Sequence, residues 1–371
     1  MKSIILLLAF AGLLISVPAC NRARPEEPAS VVPASELRYT DVLPHGNGAI
    51  ESGRSYVYCA TFQLTWDELR KLSGDAPVRL MGDPPLAAVL NDHRFDRADL
   101  SPADYLAMSG RVNQGIVAEI RQAVATRFPR ATLKVSEAAT SDGLYLYTYL
   151  DKLMPFAEKF DRVAAIPFQA GGETAGVAAF GIEGFYSSSK RGRALAKQLS
   201  VLDYRGEDDF ILRLNTTAKE DELILAKVAP HATLSETVAA VEQRIKEARK
   251  AVKWPGAEEF LYQPHDEEPL KIPIVSLAID REYAELMDRP IENRELTGLP
   301  IVQARQRVLF HLDERGARLE SNAWSAVKSE QTNRPRKYVF DKPFLLYVKK
   351  AGDHTPYFAL WVGSFDLLRT K

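Results

Sequence analysis

The amino-acid sequence predicts an α+β fold, because it contains a C-terminal hairpin, capped helices and separate β-rich runs. The hairpin signal is the clearest of the three. Two apolar, β-rich runs at residues 337–348 and 357–363 flank a turn at Gly352 and Asp353. Such runs around a short glycine-containing turn are typical of antiparallel strands. The chain is therefore expected to end in two paired strands.

Three helices are predicted from their N-terminal signals. Thr65 and Glu68 form a capping box that begins the first helix. Ser101 caps a second helix with proline at its first position, and this helix is expected to reach Phe128. Thr233 caps a third helix over residues 234–250. The second helix has apolar residues at three- and four-residue steps, which predicts one buried face: Val112, Ile116, Val117, Ile120 and Val124.

Short β-rich runs between these helices predict strands. Residues 56–62 precede the first helix, residues 144–150 alternate leucine and tyrosine, and residues 210–214 form a buried run. Residues 166–174 contain the turn Gly171-Gly172 between two further strands. Helices and strands are thus interspersed along the chain.

Composition excludes several classes of function. The 371 residues are 46% hydrophobic, which is enough for a large core, and the net charge of -1 does not favour binding to nucleic acid. The six histidines are scattered, with no pair at the spacing of metal ligands. No nucleophile elbow, phosphate-binding loop or paired-cysteine motif occurs. We therefore expect no cofactor, no metal and no enzymatic activity.

Residues 1–20 are predicted to be a lipoprotein signal peptide. Lys2 precedes an apolar run at residues 4–17 that is too short to span a bilayer. The run ends in Val17-Pro18-Ala19-Cys20, which resembles the lipobox of bacterial lipoproteins. That resemblance implies cleavage before Cys20, lipid attachment to it and anchoring in the cell envelope, at the outer membrane or an extracellular or periplasmic face. The alternative is an ordinary secretory signal with an incidental cysteine.

Residues 21–50 are predicted to be a flexible tether, and residues 51–371 a single domain. The tether carries Pro25, Pro28, Pro33 and Pro44 among polar residues, and such a composition buries little apolar surface. Cys59 is the only cysteine beyond it, so no internal disulfide is available and the thiol is expected to be structural.

A long polar segment lies between two β-rich parts of the C-terminal region. The strand at residues 308–312 ends in the charged turn Asp313-Glu314-Arg315-Gly316, and residues 317–336 have no strong local preference. A long loop held between strands usually carries function or is disordered. This segment is called the loop below.

The C-terminal region resembles that of the serpin family. In serpins a sheet strand ends in a Glu-x-Gly hinge, an exposed reactive loop follows, and a Phe-x-x-Pro-Phe run opens the closing hairpin. Here the hinge is Glu314, Gly316 and Ala317, and the run is Phe340-Asp341-Lys342-Pro343-Phe344. The resemblance covers residues 56–371. It implies a serpin-like α+β fold with a large mixed central sheet, the C-terminal hairpin in a second sheet, and packed helices.

One part of the chain departs from the family pattern. The segment between the first capped helix and the strand at residues 144–150 is shorter than in a full serpin. One or more helices, and an edge strand, are expected to be missing there. This puts in doubt the helix that normally lies across the front of the main sheet.

The resemblance implies a monomeric inhibitor of a serine or cysteine protease that has no catalytic residue of its own. A protease cuts the loop and forms an acyl-enzyme, and the loop then inserts as an extra strand into the sheet. Loop insertion in serpins is a standard example of stored strain released by cleavage. The alternative is a non-inhibitory serpin-fold lipoprotein that acts as a binding or structural module.

The loop sequence permits insertion in one register. Strand side chains alternate between two faces, so only every second residue must enter the core. The inserting face carries small or apolar residues: Ala317, Leu319, Ser321, Ala323, Ser325 and Val327. A slip by one residue buries Arg318 and Glu320 instead, which is costly for unpaired charges. Against rapid insertion, the other face also carries Asn322 and Trp324, where inhibitory serpins have mostly small residues.

Distance along the chain sets the bond that is cut. Counting from the hinge as in the family gives Glu330-Gln331, and counting back from Phe344 gives a bond about two residues later. The candidates are therefore Lys328, Glu330, Gln331 and Thr332. Lys328 is the basic residue that a trypsin-like protease would use, because Arg334 precedes a proline.

Overall fold

A computed structural model describes residues 31–93, 95–128, 142–152, 154–251, 263–317 and 335–370. The helices of this part are α1 Thr61–Leu72, α2 Pro85–Asp92, α3 Ile116–Arg127, α4 Lys190–Ala196 and α5 Leu234–Ala251. The strands are β1 Val32–Pro33, β2 Thr40–Leu43, β3 Ser55–Cys59, β4 Tyr105–Arg111, β5 Leu144–Asp151, β6 Met154–Pro155, β7 Asp161–Ala170, β8 Glu173–Ile182, β9 Leu199–Gly206, β10 Asp209–Leu214, β11 Asp221–Lys227, β12 Leu270–Pro273, β13 Val275–Glu282, β14 Ile301–Leu312, β15 Gly316–Ala317, β16 Tyr338–Val339, β17 Phe344–Lys350 and β18 Pro356–Val362.

The central sheet has five strands in the order β1-β13-β14-β5-β4. It is mixed, because β14 runs antiparallel to β13 and parallel to β5, whereas β5 and β4 are antiparallel. Residues of alternating parity point to opposite faces of the sheet. The even-numbered residues of β5 and β14 face the core, and the tyrosines at the odd positions of β5 face α3. The predicted α+β class and mixed central sheet are confirmed.

A second sheet contains the C-terminal hairpin, as predicted. Its seven strands follow the order β2-β3-β18-β17-β11-β10-β9, with β17 and β18 at the centre. One face packs on the central sheet in the main core, and α5 covers part of the other face. A third sheet, β16-β12-β8-β7, and the short pair β15-β6 complete the strand pairing.

Helix α3 packs across the β4–β5 end of the central sheet. Ile116, Ile120 and Val124 lie against Tyr145 and Tyr149 of β5. Because the chain is short before β5, the presence of a helix across this sheet was uncertain from the sequence. Helix α3 lies across the face that carries the β5 tyrosines. Residues 129–141, which connect α3 to β5, lie outside the described part.

Two predicted helix starts are wrong. The predicted helix from Ser101 to Phe128 is instead a turn, the strand β4 and the shorter helix α3, because pairing with β5 and Gly115 at φ +90° override the local signals. Helix α1 begins at Thr61, so Thr65 lies inside it and its hydroxyl donates to the Thr61 carbonyl (3.1 Å). The capping signal at Thr233 is confirmed, since its hydroxyl accepts from the Glu236 amide (3.2 Å).

Residues 31–50, which were predicted to belong to a flexible tether, contain two strands that pair with the body of the protein. Strand β1 pairs with β13 and β2 pairs with β3, and the Tyr39 amide donates to Asp366 (2.7 Å). Pro33 is compatible with this arrangement because β1 is an edge strand. Main-chain pairing thus orders a segment that buries little apolar surface. Among the described residues, no helix is long and apolar enough to cross a membrane.

Candidate functional site

The hinge is a tight turn at the end of β14. The Gly316 amide donates to the Asp313 carbonyl (3.1 Å), and the Arg315 amide donates to the Asp313 carboxylate (2.7 Å). Burial would raise the pKa of Asp313, but the nearby His311 imidazole (3.4 Å) and the hydrogen bond from the Arg315 amide outweigh it and hold the pKa below its usual value. Asp313 therefore stays ionised and fixes the direction in which the chain leaves β14.

Gly316 occupies a position that only glycine fits. Its φ is +107°, and a Cβ placed there would lie 2.4 Å from the Pro155 Cα and the Phe156 amide nitrogen. Both atoms belong to the backbone, so a side chain cannot rotate out of the way. The close approach brings the hinge directly against the segment that follows β5.

We expect Gly316→Ala to destabilise the protein more than Gly352→Ala does. Gly352 also has a positive φ, +91°, but nothing lies within 4 Å of its Cβ position. The Gly352 variant should lose about 1–2 kcal/mol from the left-handed conformation alone. The Gly316 variant should lose about 1–3 kcal/mol more from overpacking. Urea denaturation measures the free energy of unfolding of both variants. Equal losses would contradict the close approach of Gly316 to the Pro155 and Phe156 backbone.

Glu314 joins the hinge to the start of β7. Its carboxylate is 2% exposed and forms ion pairs with Arg162 and with Lys159 (3.5 Å). The amides of Phe160 and Phe156 donate to the carbonyls of Glu314 (2.9 Å) and Arg315 (3.0 Å). The buried carboxylate is thus compensated by two cations from residues 159–162.

Gly316, the last residue of the turn, and Ala317 lie between two strand ends. Gly316 pairs with Asp313 on one side and with Pro155 of β6 on the other, and Ala317 pairs with Met154. Ala317 is 2% exposed and belongs to the main core. Strands β5 and β14 pair with each other as far as Asp151 and Leu309. Beyond that point β15 occupies the space between them, antiparallel to β6.

A small cavity of about 10 Å³ lies where β5 and β14 separate. It is lined by Leu150, Lys152, Met154, Leu309, Phe310, Val348, Tyr357 and Phe358. The Lys152 ammonium pairs with Asp104 (2.5 Å) and with Asp221 (2.7 Å), and the Tyr357 hydroxyl donates to Asp221 (2.9 Å). Burial would lower the pKa of Lys152, but the two carboxylates outweigh it and raise that pKa. The C-terminal end of β5 is therefore held against β11 and β18.

The far end of the loop is held by a buried ion pair. The Arg336 guanidinium donates to both carboxylate oxygens of Glu268 (2.8 and 3.1 Å), and the Tyr338 hydroxyl donates to the same group (2.8 Å). Burial, with the Glu268 charge, raises the pKa of Tyr338 well above its usual range. Strand β16 then pairs with β12. Both ends of the loop are thus fixed on the body of the protein.

The Phe340–Phe344 run that opens the closing hairpin is held by a second ion-pair cluster. Lys227 is buried and pairs with Asp341 (2.6 Å) and Asp208 (2.7 Å), and Lys342 pairs with Asp208 (2.5 Å). Lys227 and then Lys342 lower the pKa of Asp208. The Phe-x-x-Pro-Phe run is therefore anchored through both of its charged residues.

We expect Arg336→Met to cost about 3–5 kcal/mol, because it leaves the Glu268 carboxylate buried without its cation. The matched control is Arg191→Met, which breaks the exposed pair with Asp161 (2.9 Å) and should cost less than about 1 kcal/mol. Chemical denaturation of both variants tests the difference. Similar small losses would mean that the pair at Arg336 does not hold the loop end.

The predicted site residues divide between described and undescribed parts of the chain. Glu314, Gly316 and Ala317 come together at the end of β14, and their role as a hinge stays a prediction. The following predicted residues lie outside the described part: Cys20, Leu319, Ser321, Ala323, Lys328, Glu330, Gln331 and Thr332. Sequence reasoning missed Arg162, Glu268 and Arg336, because each partner is far along the chain.

No protein-family model matches the sequence, and no curated protein sequence matches it. Solved structures do match. A serpin from the trematode Schistosoma haematobium is 11% identical, with a TM-score of 0.49, over 84% of this chain and 94% of that chain. Human thyroxine-binding globulin complexed with thyroxine is 13% identical, with a TM-score of 0.43, over 84% and 92%. Uncleaved ovalbumin is 12% identical, with a TM-score of 0.45, over 84% and 93%. Serpins are thus among the structures that this chain resembles.

Proposed function

We propose that this protein is a serpin-like inhibitor of a serine or cysteine protease. The protease cuts the loop, residues 317–336, and the freed segment enters the central sheet between β5 and β14. The observation that supports this most is the double pairing of Gly316, with Asp313 on one side and Pro155 on the other. The chain therefore already leaves the hinge as a strand that lies between the ends of the two neighbours it would separate.

The strand directions favour this reaction. Strands β5 and β14 are parallel, whereas the chain that turns back at Gly316 is antiparallel to both. Insertion would replace one parallel ladder by two antiparallel ladders. Antiparallel pairing is slightly more stable per residue, and the inserted strand adds hydrogen bonds on both sides. Insertion is therefore expected to release free energy once cleavage frees the loop.

The inhibitor's own residues take no part in bond breaking. The protease nucleophile attacks the carbonyl carbon before the cut and forms an ester or thioester, with release of the new amino terminus. Water then normally hydrolyses this bond. Inhibition requires that insertion carry the attached protease away before hydrolysis, so the rate of insertion decides between inhibitor and substrate.

The direct test is covalent capture. Incubation with a panel of serine and cysteine proteases should yield a complex that survives SDS, and mass spectrometry should locate the cut within residues 328–333. With a trypsin-like protease we expect the complex to be lost in Lys328→Ala and kept in Lys337→Ala, a basic residue beyond the loop. Cleavage of the loop by every protease with no covalent complex would reject inhibition.

A second function is favoured by the closed state of the sheet. Strands β5 and β14 pair from Leu144 and Ile301 as far as Asp151 and Leu309, and the hinge is held by buried pairs. An envelope lipoprotein with this fold would then act as a binding or structural module without inhibiting proteases. If the protein has this second function, we expect no covalent complex with a protease and no rise in stability after cleavage of the loop.

We also propose that Cys20 carries a lipid that anchors the protein in the cell envelope. The sequence of residues 17–20 supports this. Labelled palmitate should be incorporated into the wild-type protein and not into Cys20→Ala. Equal labelling of both would reject the anchor and leave the proposed inhibitor unaffected.

A further inference from the structure

Residues 32–43 form a strap that covers one edge of two different sheets. Strand β1 pairs with β13 of the central sheet, and β2 pairs with β3 of the second sheet. The Ser55 amide, at the start of β3, donates to the Tyr39 carbonyl of the strap (2.7 Å). If the strap moved away, β3 and the middle of β13 would both present unpaired main-chain groups.

The strap is held by hydrogen bonds more than by apolar burial. Thr40 and Val42 are its buried side chains, and Ala34 and Leu37 are only partly buried against the main core. Segments with few buried apolar contacts open locally at a lower free-energy cost than the core does. The strap is therefore a part of the fold that can open while the sheets stay intact.

The chain that follows the strap is fixed on helix α5. The Ser235 amide at the start of α5 donates to the Gly46 carbonyl (2.7 Å), and the Ile50 amide donates to the Ala232 carbonyl (3.0 Å). An opening strap would therefore turn about the short segment between Leu43 and Gly46.

One carboxylate oxygen holds the strap to the C-terminal tail, residues 364–370. The Tyr39 amide (2.7 Å) and the Thr40 hydroxyl (3.1 Å) both donate to Oδ2 of Asp366. These two hydrogen bonds lie between β1 and β2, so they fix the strap at the point where it passes from one sheet to the other. Asp366 therefore acts as the catch of the strap.

The tail that carries the catch is itself firmly held. Leu367 and Leu368 are buried in the main core. The Ser276 amide of β13 donates to the Leu367 carbonyl (2.9 Å), and the Ala178 amide of β8 donates to the Arg369 carbonyl (2.8 Å). Loss of the catch should therefore release the strap and leave the tail in place.

The strap replaces an edge that pairs readily by one that does not. Strand β3, Ser55–Cys59, contains tyrosine and valine and no charged residue or proline, which favours strand pairing. The strap instead carries residues of the types that block strand addition at natural sheet edges: Pro33, Glu36, Arg38 and Asp41.

We propose that the strap is releasable, that Asp366 is its catch, and that the open edge of β3 pairs with β3 of a second copy of this chain. A second copy fits because two identical uncharged strands can pair antiparallel about a two-fold axis, which closes the interface. The inference goes beyond protease inhibition, because neither the strap nor Asp366 belongs to the loop or the hinge.

Hydrogen exchange at single amides tests the catch in the full chain. All variants carry Cys20→Ser, so that no attached lipid can drive association. The Ser55 amide reports on the strap and the Ser276 amide on the tail. At low protein concentration, Asp366→Ala should speed exchange at Ser55 about tenfold or more, because two hydrogen bonds are lost, and leave Ser276 unchanged.

Two further variants separate the catch from a general loss of stability. Asp366→Asn keeps an oxygen that can accept both hydrogen bonds, so it should exchange like the wild type. Thr40→Val keeps the volume of the buried side chain and removes one hydrogen bond, so exchange at Ser55 should rise only about threefold. Equal exchange at Ser55 in the wild type, Asp366→Ala and Thr40→Val would overturn the catch. Equally faster exchange at Ser276 would show that the tail opens too, and would overturn a separately releasable strap.

Analytical ultracentrifugation over a range of concentrations tests the pairing. Asp366→Ala should form a dimer whose fraction rises with concentration, and exchange at Ser55 should slow again as the dimer forms. The wild type, Asp366→Asn and the control Asp161→Ala, which breaks an exposed ion pair with Arg191, should stay monomeric. Faster exchange at Ser55 in a protein that is monomeric at every concentration would overturn pairing with a second copy. None of these outcomes bears on covalent capture of a protease.

Discussion

Cleavage between residues 328 and 333 is expected to raise the melting temperature of the protein by about 10 °C or more. The freed segment would add about ten backbone hydrogen bonds on the two edges of β5 and β14, each contributing about 1 kcal/mol net. Ordering the segment offsets part of this, which leaves about 5 kcal/mol, and each kcal/mol shifts the melting temperature of a domain this size by about 2 °C. Most cuts in exposed loops do the opposite, because they increase the entropy of the unfolded chain.

Calorimetry or circular dichroism before and after cleavage measures the effect. The control is protein carried through the same steps with an inactivated protease. Mass spectrometry must show a single cut inside residues 317–336 in the treated sample. An unchanged or lower melting temperature after that cut would falsify insertion, whatever the loop binds.

The elements that could be predicted from the sequence are those with strong local signals. The C-terminal hairpin combines alternating apolar residues with a glycine turn, and β17 and β18 pair around Gly352 as expected. Helix α5 begins after the capping residue Thr233 and runs to Ala251, one residue past its predicted end. In these segments the local preference and the tertiary environment agree.

Strand β4 was not predictable because two local signals contradict its environment. Ser101 and Pro102 form a good helix start, but their helix ends at once in a turn, where the Asp104 amide donates to the Ser101 carbonyl (3.0 Å). Pairing with β5 then makes residues 105–111 a strand. The pairing partners of residues 105–111 are residues 144–150, and pairing over this distance leaves no periodic pattern in the local sequence. The local helix signal therefore gives the wrong prediction.

The candidate site was predicted as a loop with a hinge, and its anchors were not predicted. Glu268 lies in a charged stretch that reads as a solvated loop, although it is 2% exposed and holds Arg336. Its partner is 68 positions away. Glu314 is predicted from its place in the hinge motif. Its ion-pair partners, Lys159 and Arg162, belong to no sequence motif and so are not predicted. Long-range ion pairs of this kind are visible only in three dimensions.

A charge on the inserting face is expected to abolish inhibition, and the same charge one residue further is not. Ala323→Glu would bury a carboxylate on the inserting face, at a cost of several kcal/mol for an unpaired charge. Trp324→Glu places the carboxylate on the opposite face of the inserted strand, where every second residue of the loop is already polar or charged as far as Asn322. The two variants carry the same net charge and place it on opposite faces of the loop strand.

The measurement is the ratio of covalent complex to cleaved inhibitor with one protease, together with the melting temperature before cleavage. The melting temperature of each intact variant shows whether the substitution itself changes the stability of the uncleaved protein. A loss of several kcal/mol in the driving force for insertion should turn Ala323→Glu into a substrate, with at least a tenfold smaller fraction of complex. Trp324→Glu should retain most of the complex. Equal loss in both variants would show that the loop has no preferred inserting face, and the alternation along residues 317–327 would then carry no information about function.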